Sequence, residues 1–349
     1  MSELPRDRIR GCLLGGAVGD ALGAPIEFDS LREIRARFGA AGLVEPAPAF
    51  GRVGAITDDT QMTLFTAEGL ILAARDPAFS GLSGTVRSVH RAYLRWLRTQ
   101  GERSEHPTFE RTEDGWLLGI EALHSRRGPG NTCLSALRAD RMGSTEQPLN
   151  HSKGCGGVMR IAPVGLAGAI GDPFAAGCQI AAITHGHPTG FLAAGFQALA
   201  IREAATGTPL RAACQEALEE LRRHPGHEEC AAAVERAISL AVEKRGEASP
   251  EDVESLGEGW VAEEALAIAL FCALVAPDFE SALRLAVNHG GDSDSTGAIA
   301  GNLLGASLGE AAIPPRWLPL LELREEILRL AAELADASPL VCGKNIKTN

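Results

Sequence analysis

Between Gly11 and Gly23 the chain reads Gly-Cys-Leu-Leu-Gly-Gly-Ala-Val-Gly-Asp-Ala-Leu-Gly, a helix-length stretch holding five glycines. Each interior glycine costs a helix about 1 kcal/mol against alanine. Such a helix must gain close packing, or something must approach its backbone. Residues 297–306, Gly-Ala-Ile-Ala-Gly-Asn-Leu-Leu-Gly-Ala, have a similar small-residue composition. Two helices of this kind can lie with their backbones near each other, which would bring their acidic ends to one place. One such end is Gly290-Gly291-Asp292-Ser293-Asp294-Ser295-Thr296-Gly297. Asp20, inside the first helix, reads as a buried, hydrogen-bonded structural carboxylate.

Helical spacing of apolar residues dominates the rest. It predicts helices over 8–22, 61–75, 83–98, 173–183, 189–206, 210–223, 229–245, 261–274, 278–288 and 317–335. Alternating apolar and polar residues are nearly absent, and turn signals such as Gly128-Pro129-Gly130 and His224-Pro225-Gly226 fall between the helices. The predicted fold is all-α, a single compact domain of a dozen or more helices over residues 1–338, with a loosely held tail at 339–349. Polar loops are expected at about 101–115, 124–131, 139–157 and 246–259.

Several classes are disfavoured. No apolar run approaches the roughly 20 residues a membrane span needs. The first residues lack the zones of a signal peptide, so a cytoplasmic protein is expected. The eight cysteines are scattered with no Cys-x-x-Cys spacing, and read as reduced thiols rather than a zinc or redox site. A net charge of −12 argues against a broad nucleic-acid surface. It leaves room for a small anionic ligand held locally by backbone N–H groups and a metal.

The chemistry-bearing residues fall in five places. Thr57-Asp58-Asp59-Thr60-Gln61 can be a helix start, with Thr57 or Asp58 as cap and Gln61 closing a capping box. The same plain reading applies to Asp292-Ser293-Asp294-Ser295. Caps do not explain two sets of paired carboxylates with hydroxyls, because adjacent carboxylates repel and are costly near a core without a cation. Asp58, Asp59, Asp292 and Asp294, with hydroxyls from Thr57 and Ser295 or Thr296, are all hard oxygen donors. That set suits Mg²⁺, Mn²⁺ or Ca²⁺ rather than Zn²⁺, and its size hints at two metals. Glu27, after Pro25, is either a base near such a centre or a surface acid. The glycine-rich Ser152–Gly157 segment is either a phosphate cradle or a plain loop. His185 and His187, at a helix junction, are either ligand contacts or positive caps.

In this order, the Gly11–Gly23 helix, Glu27, Thr57-Asp58-Asp59, the Gly154–Arg160 loop, Thr184-His185 and Gly291–Gly297 resemble the ADP-ribosylglycohydrolases. The resemblance extends from about residue 8 to about residue 306, and includes the dinitrogenase reductase-activating and ADP-ribosylarginine-directed members. It implies an all-α fold with two divalent cations, Mg²⁺ or Mn²⁺. Thr57, Asp58 and Asp59 correspond to one ligand set, and Asp292, Asp294 and Ser295 to the other. Asp294, Glu27 and Asp59 correspond to the catalytic carboxylates. Ser152, Gly154, Gly156, Gly157 and His185 correspond to the parts that bind diphosphate and distal ribose. Cys155 stands where some relatives carry asparagine, and no adenine-stacking aromatic is assigned. The implied reaction is metal-assisted hydrolysis at the anomeric carbon of ADP-ribose, releasing a modified arginine, with Asp294 or Glu27 as general base. The implied partner is an ADP-ribosylated protein or an ADP-ribose-containing small molecule, and the chain is read as a monomer. Alternatives are cleavage from serine, an acyl ester or a nucleobase, a non-catalytic ADP-ribose binder, and an unrelated two-metal phosphoesterase.

Overall fold

The computed structural model describes residues 4–112 and 114–337, so the tail expected at 339–349 lies outside the described residues. Fifteen α-helices and several short 3₁₀ turns make up the described fold, with one small hairpin, Pro48–Ala49 against Arg52–Val53. The all-α expectation is borne out.

The centre of the molecule is the glycine helix, Arg6–Gly23, lying antiparallel against Ser293–Leu308. Their backbones meet at one register. A Cβ on Gly15 would stand 2.4 Å from the Gly301 carbonyl oxygen, and one on Gly301 would stand 2.0 Å from that of Gly15. Gly19 meets Gly297 in the same way, and Gly11 meets Gly305. Glycine every fourth residue lines one helical face, so two such faces can approach at backbone contact. Asn302 closes the seam by donating its side-chain N–H to the Cys12 carbonyl at 2.8 Å. At the end of the seam, Gly23 packs on the Ser293 backbone, setting the turn that carries Glu27 beside Asp292 and Asp294.

Asp20 ties in a third helix. It is fully buried and accepts the backbone N–H of Thr57 (3.0 and 3.1 Å) and of Thr60 (3.1 Å), together with the Thr60 hydroxyl. This fixes the start of Asp58–Arg75 against the glycine helix. The structural reading of Asp20 therefore holds.

Nine of the ten predicted helices lie within three residues of the observed bounds. The tenth differs: residues 317–323 are a 3₁₀ turn, Leu318–Leu320, then Leu323 at φ 57°, and the helix is Arg324–Asp336. Pro319 removes a backbone donor there, which periodicity alone does not register. Helices Leu31–Phe38, Asn131–Arg138, Ala162–Leu166 and Pro250–Glu254 lie outside the predicted spans, the last inside the loop expected at 246–259; the first and last of them begin with a serine capping box. The described cysteines are all unpaired; Cys342 lies outside the described residues. Among the described residues no helix is long and apolar enough to cross a membrane.

Candidate active site

Where the three helix ends converge there is a cavity of about 360 Å³. Its wall includes Glu27, Asp58, Asp59, Asp292, Asp294 and Ser295, together with Gly154, Cys155, Gly156 and His185. The two acidic clusters, far apart in the chain, thus share one space.

Each acid is positioned by a local feature. Thr57 caps its helix by accepting the Asp59 N–H at 3.2 Å. With Thr57 as the cap, Gln61 falls one position too far for the reciprocal bond. The capping box does not form, and Gln61 binds the Ser125 carbonyl and Trp96 instead. Asp58 accepts the Gly130 N–H at 3.3 Å. Asp292 follows Gly291, whose φ of 138° is open to glycine and strained for other residues. A Cβ on Gly291 would also stand 2.0 Å from the Glu258 carbonyl, which accepts the Asp292 N–H at 2.8 Å.

Five carboxylates line this cavity, and no lysine or arginine does among the described residues. Oxygens of Glu27, Asp292 and Asp294 all lie within 4.8 Å of one another. Burial and then the charge of Asp294 push Asp58, Asp59 and Asp292 well above the usual carboxylate range. Glu27 is pushed up to about 10 by burial and then by Asp294. Asp59 Oδ1 and Asp294 Oδ1 are buried with no hydrogen-bond partner among the described residues. Crowded carboxylate oxygens with unspent lone pairs, and no protein cation beside them among the described residues, fit a divalent metal with hard ligands. Of its two readings, Glu27 stands beside Asp292 and Asp294 rather than apart as a surface acid. Thr57 is buried behind the wall as a cap, without lining the cavity.

The glycine loop completes the wall beside the acids. Gly154 and Val261 form a backbone bridge, and Cys155 Sγ lies 2.9 Å from Asp292 Oδ2. Gly154, Gly156 and His185 face the cavity, whereas Ser152 and Gly157 do not line it. Ser152 supports the loop by accepting the Gly154 N–H at 3.3 Å, and Gly157 packs against Ala181. His185 is not a positive cap: burial and then the Arg160 charge hold its ring neutral, down to about 3. His187 caps the next helix by accepting the Thr189 N–H at 3.1 Å.

Sequence reading did not assign the rest of the wall. Gly128, Pro129, Gly130, Asn131 and Thr132 close one side; their Gly-Pro-Gly turn was visible, but not what it faced. Phe28 and Trp260 stand at the mouth with ring centroids 5.2 Å apart, stacked at 17°. Phe28 has φ 73° and is 71% exposed, and no local pattern pairs it with a tryptophan so far away in the chain.

An all-helical chain whose acidic helix ends share one cavity defines a class of helical fold built around a carboxylate site, and comparison with known proteins gives the family. The ADP-ribosylglycohydrolase profile matches residues 1–343, and this chain belongs to that family. It is 30% identical over 333 residues to the ADP-ribosyl-[dinitrogen reductase] glycohydrolase of Rhodospirillum rubrum, covering 92% of each chain. It is 25% identical over 345 residues to the ADP-ribosylarginine hydrolase Tri1 of Pseudomonas putida, covering 97% of this chain and 81% of that one. A solved structure described as an ADP-ribosylglycohydrolase-related protein complex matches with a TM-score of 0.63 at 30% identity, covering 95% of this chain and 98% of that one.

Proposed function

We propose that this protein hydrolyses the N-glycosidic bond between ADP-ribose and a modified protein side chain, with arginine as the leaving group. The observation that carries the reading is the cavity of five carboxylates with, among the described residues, no lining lysine or arginine and two buried, unpartnered oxygens. Thr57, Asp58 and Asp59 would hold one divalent cation, and Asp292, Asp294 and Ser295 a second, Mg²⁺ or Mn²⁺ in each case. Bound there, the cations would neutralise the cluster and supply Lewis acidity toward ribose hydroxyls and water.

The chain's own groups have separable tasks. Glu27 is the one half-exposed carboxylate of the five, the others being buried. With cations beside it to bring its raised value down, it could take a proton from an attacking water and pass it to solvent, with Asp294 as the alternative acceptor. Gly154 and Gly156 leave backbone room beside His185 for the diphosphate and distal ribose. Ser152 and Gly157 shape that loop from behind. All of the oxygen ligands expected for two cations are present in this chain, which favours turnover over simple ADP-ribose binding.

The arginine preference rests on the Asp-Ser-Asp-Ser-Thr-Gly form of the second cluster and on relatives named for arginine chemistry. Matched peptides ADP-ribosylated on arginine or on serine test it directly. Release of ADP-ribose from the arginine peptide alone is expected. Release from the serine peptide alone would refute the preference.

A further inference from the structure

Arg160 is fully buried, and among the described residues it has no carboxylate partner. Its guanidinium lies 4.4 Å over the Tyr93 ring, and Nη1 faces Cys133 Sγ at 3.3 Å. Nη2 donates to the Thr184 hydroxyl at 2.6 Å. Among the described residues its one oxygen acceptor is that hydroxyl, and the hydrogen-bond accounting around it shows a consequence.

Arginine only donates, so Thr184 Oγ1 accepts from it and has its single proton left to give. Besides the weakly accepting Cys133 sulfur, two acceptors are in reach: His185 Nδ1 at 2.8 Å and the Ala181 carbonyl at 3.5 Å. The Ala181 carbonyl already accepts the backbone N–H of Thr184 at 3.1 Å and of His185 at 3.0 Å. The shorter contact to the uncommitted acceptor takes the proton. A neutral imidazole whose Nδ1 accepts carries its own proton on Nε2. Burial and the neighbouring Arg160 charge keep the ring neutral, with a pKa of about 3.

The Nε2 edge is turned to the glycine loop. A Cβ on Gly156 would stand 3.2 Å from Nε2 and 2.9 Å from Cε1, and one on Gly154 would stand 3.4 Å from Nε2. Both glycines and His185 line the cavity, so these two positions leave the N–H edge uncovered.

We propose that Arg160 and Thr184 are positioning residues that lock His185 as its Nε2–H tautomer, a neutral donor aimed at an anionic or hydroxyl oxygen of the ligand. The ligand half, an oxygen of the ADP-ribose diphosphate or distal ribose, rests on the function proposed above; the tautomer does not. An imidazolium at this position would put a second positive charge one hydroxyl away from Arg160. The relay instead supplies a donor whose protonation is constant across the working pH range.

The test reads the tautomer before any ligand is added. Long-range ¹H–¹⁵N spectra of the full-length, ¹⁵N-histidine-labelled protein, with His185→Gln for assignment, should show His185 Nε2 protonated and Nδ1 unprotonated. That pattern should not titrate from about pH 5 to about pH 8. Thr184→Val, which removes the donor to Nδ1, should give mixed tautomers and weaken ADP-ribose binding by calorimetry about tenfold. Thr184→Ser should restore both, which a purely space-filling role for Thr184 would not produce. A protonated Nδ1 in the wild type, or Thr184→Val with unchanged tautomer and affinity, would overturn the proposal. The wild-type spectrum decides even if a variant folds poorly. Wild-type protein with the expected tautomer but no affinity for ADP-ribose would overturn the ligand half, and the proposed function with it, while leaving the relay intact.

Discussion

Asp294 is the residue on which the site turns. Its charge is the first electrostatic cause of the raised values at Asp58, Asp59, Asp292 and Glu27. Removing that charge should therefore do two opposite things. Asp294→Asn should lower turnover by about 100-fold or more, as expected for loss of a ligand or base. The same change should stabilise the chelated protein at neutral pH by about 1 kcal/mol, because a buried repulsion is relieved. Initial rates and urea unfolding of one preparation check both; a variant that is less stable and fully active would contradict the assignment. Asp294→Ala should keep the helical circular dichroism spectrum and lose turnover. The acids were legible in the sequence because four carboxylates in two tight clusters have few structural explanations. Phe28 and Trp260 were not, because their stack depends on a positive-φ turn and on where Gly259 delivers a distant segment.

Among the elements, the paired glycine helices set the geometry of the site. Gly301→Ala places a methyl 2.0 Å from the Gly15 carbonyl oxygen, and neither backbone can yield without shifting the seam. A loss of about 3 kcal/mol is expected, more than the helix propensity alanine would restore. Gly119→Ala meets nothing within 4 Å and should change stability by less than about 0.5 kcal/mol. Chemical denaturation of both variants separates close packing from any general effect of adding a methyl. Because the seam ends at Glu27 and Asp292, Gly301→Ala should also weaken Mn²⁺ binding. The need for close packing could be read from five glycines in one helix. Which face met which partner became visible only with the four-residue register from Gly11 against Gly305 to Gly19 against Gly297. The 317–323 turn escaped notice because its apolar residues keep helical spacing while Pro319 and the left-handed Leu323 break the backbone.

Across the whole molecule, the buried acids tie stability to pH and to metal. A carboxyl raised in the folded state holds a proton that the unfolded chain, with values near 4, has released. Stability from such groups is present at low pH and is lost as pH rises through the folded values, about 7 for Asp20 and about 10 for Glu27. Buried neutral histidines act in the opposite sense below about pH 6.5, so the acid effect is best read above neutrality. The melting temperature of chelated protein should fall between about pH 7 and about pH 9, and Mn²⁺ should raise it most at the higher pH. A cation effect that is equal at both values would count against the carboxylate cavity as its binding site. The all-α class was readable from periodicity, since most helices bury one face. The cavity was not, because it forms from the ends of helices that periodicity treats separately.

The most direct test is a chelation and restoration assay on an ADP-ribosylarginine peptide. Protein stripped with EDTA and desalted should release no ADP-ribose, and adding back Mg²⁺ or Mn²⁺ should restore release in the wild type but not in Asp294→Ala. Release that persists after chelation, or that Asp294→Ala supports at the wild-type rate, would contradict the central claim.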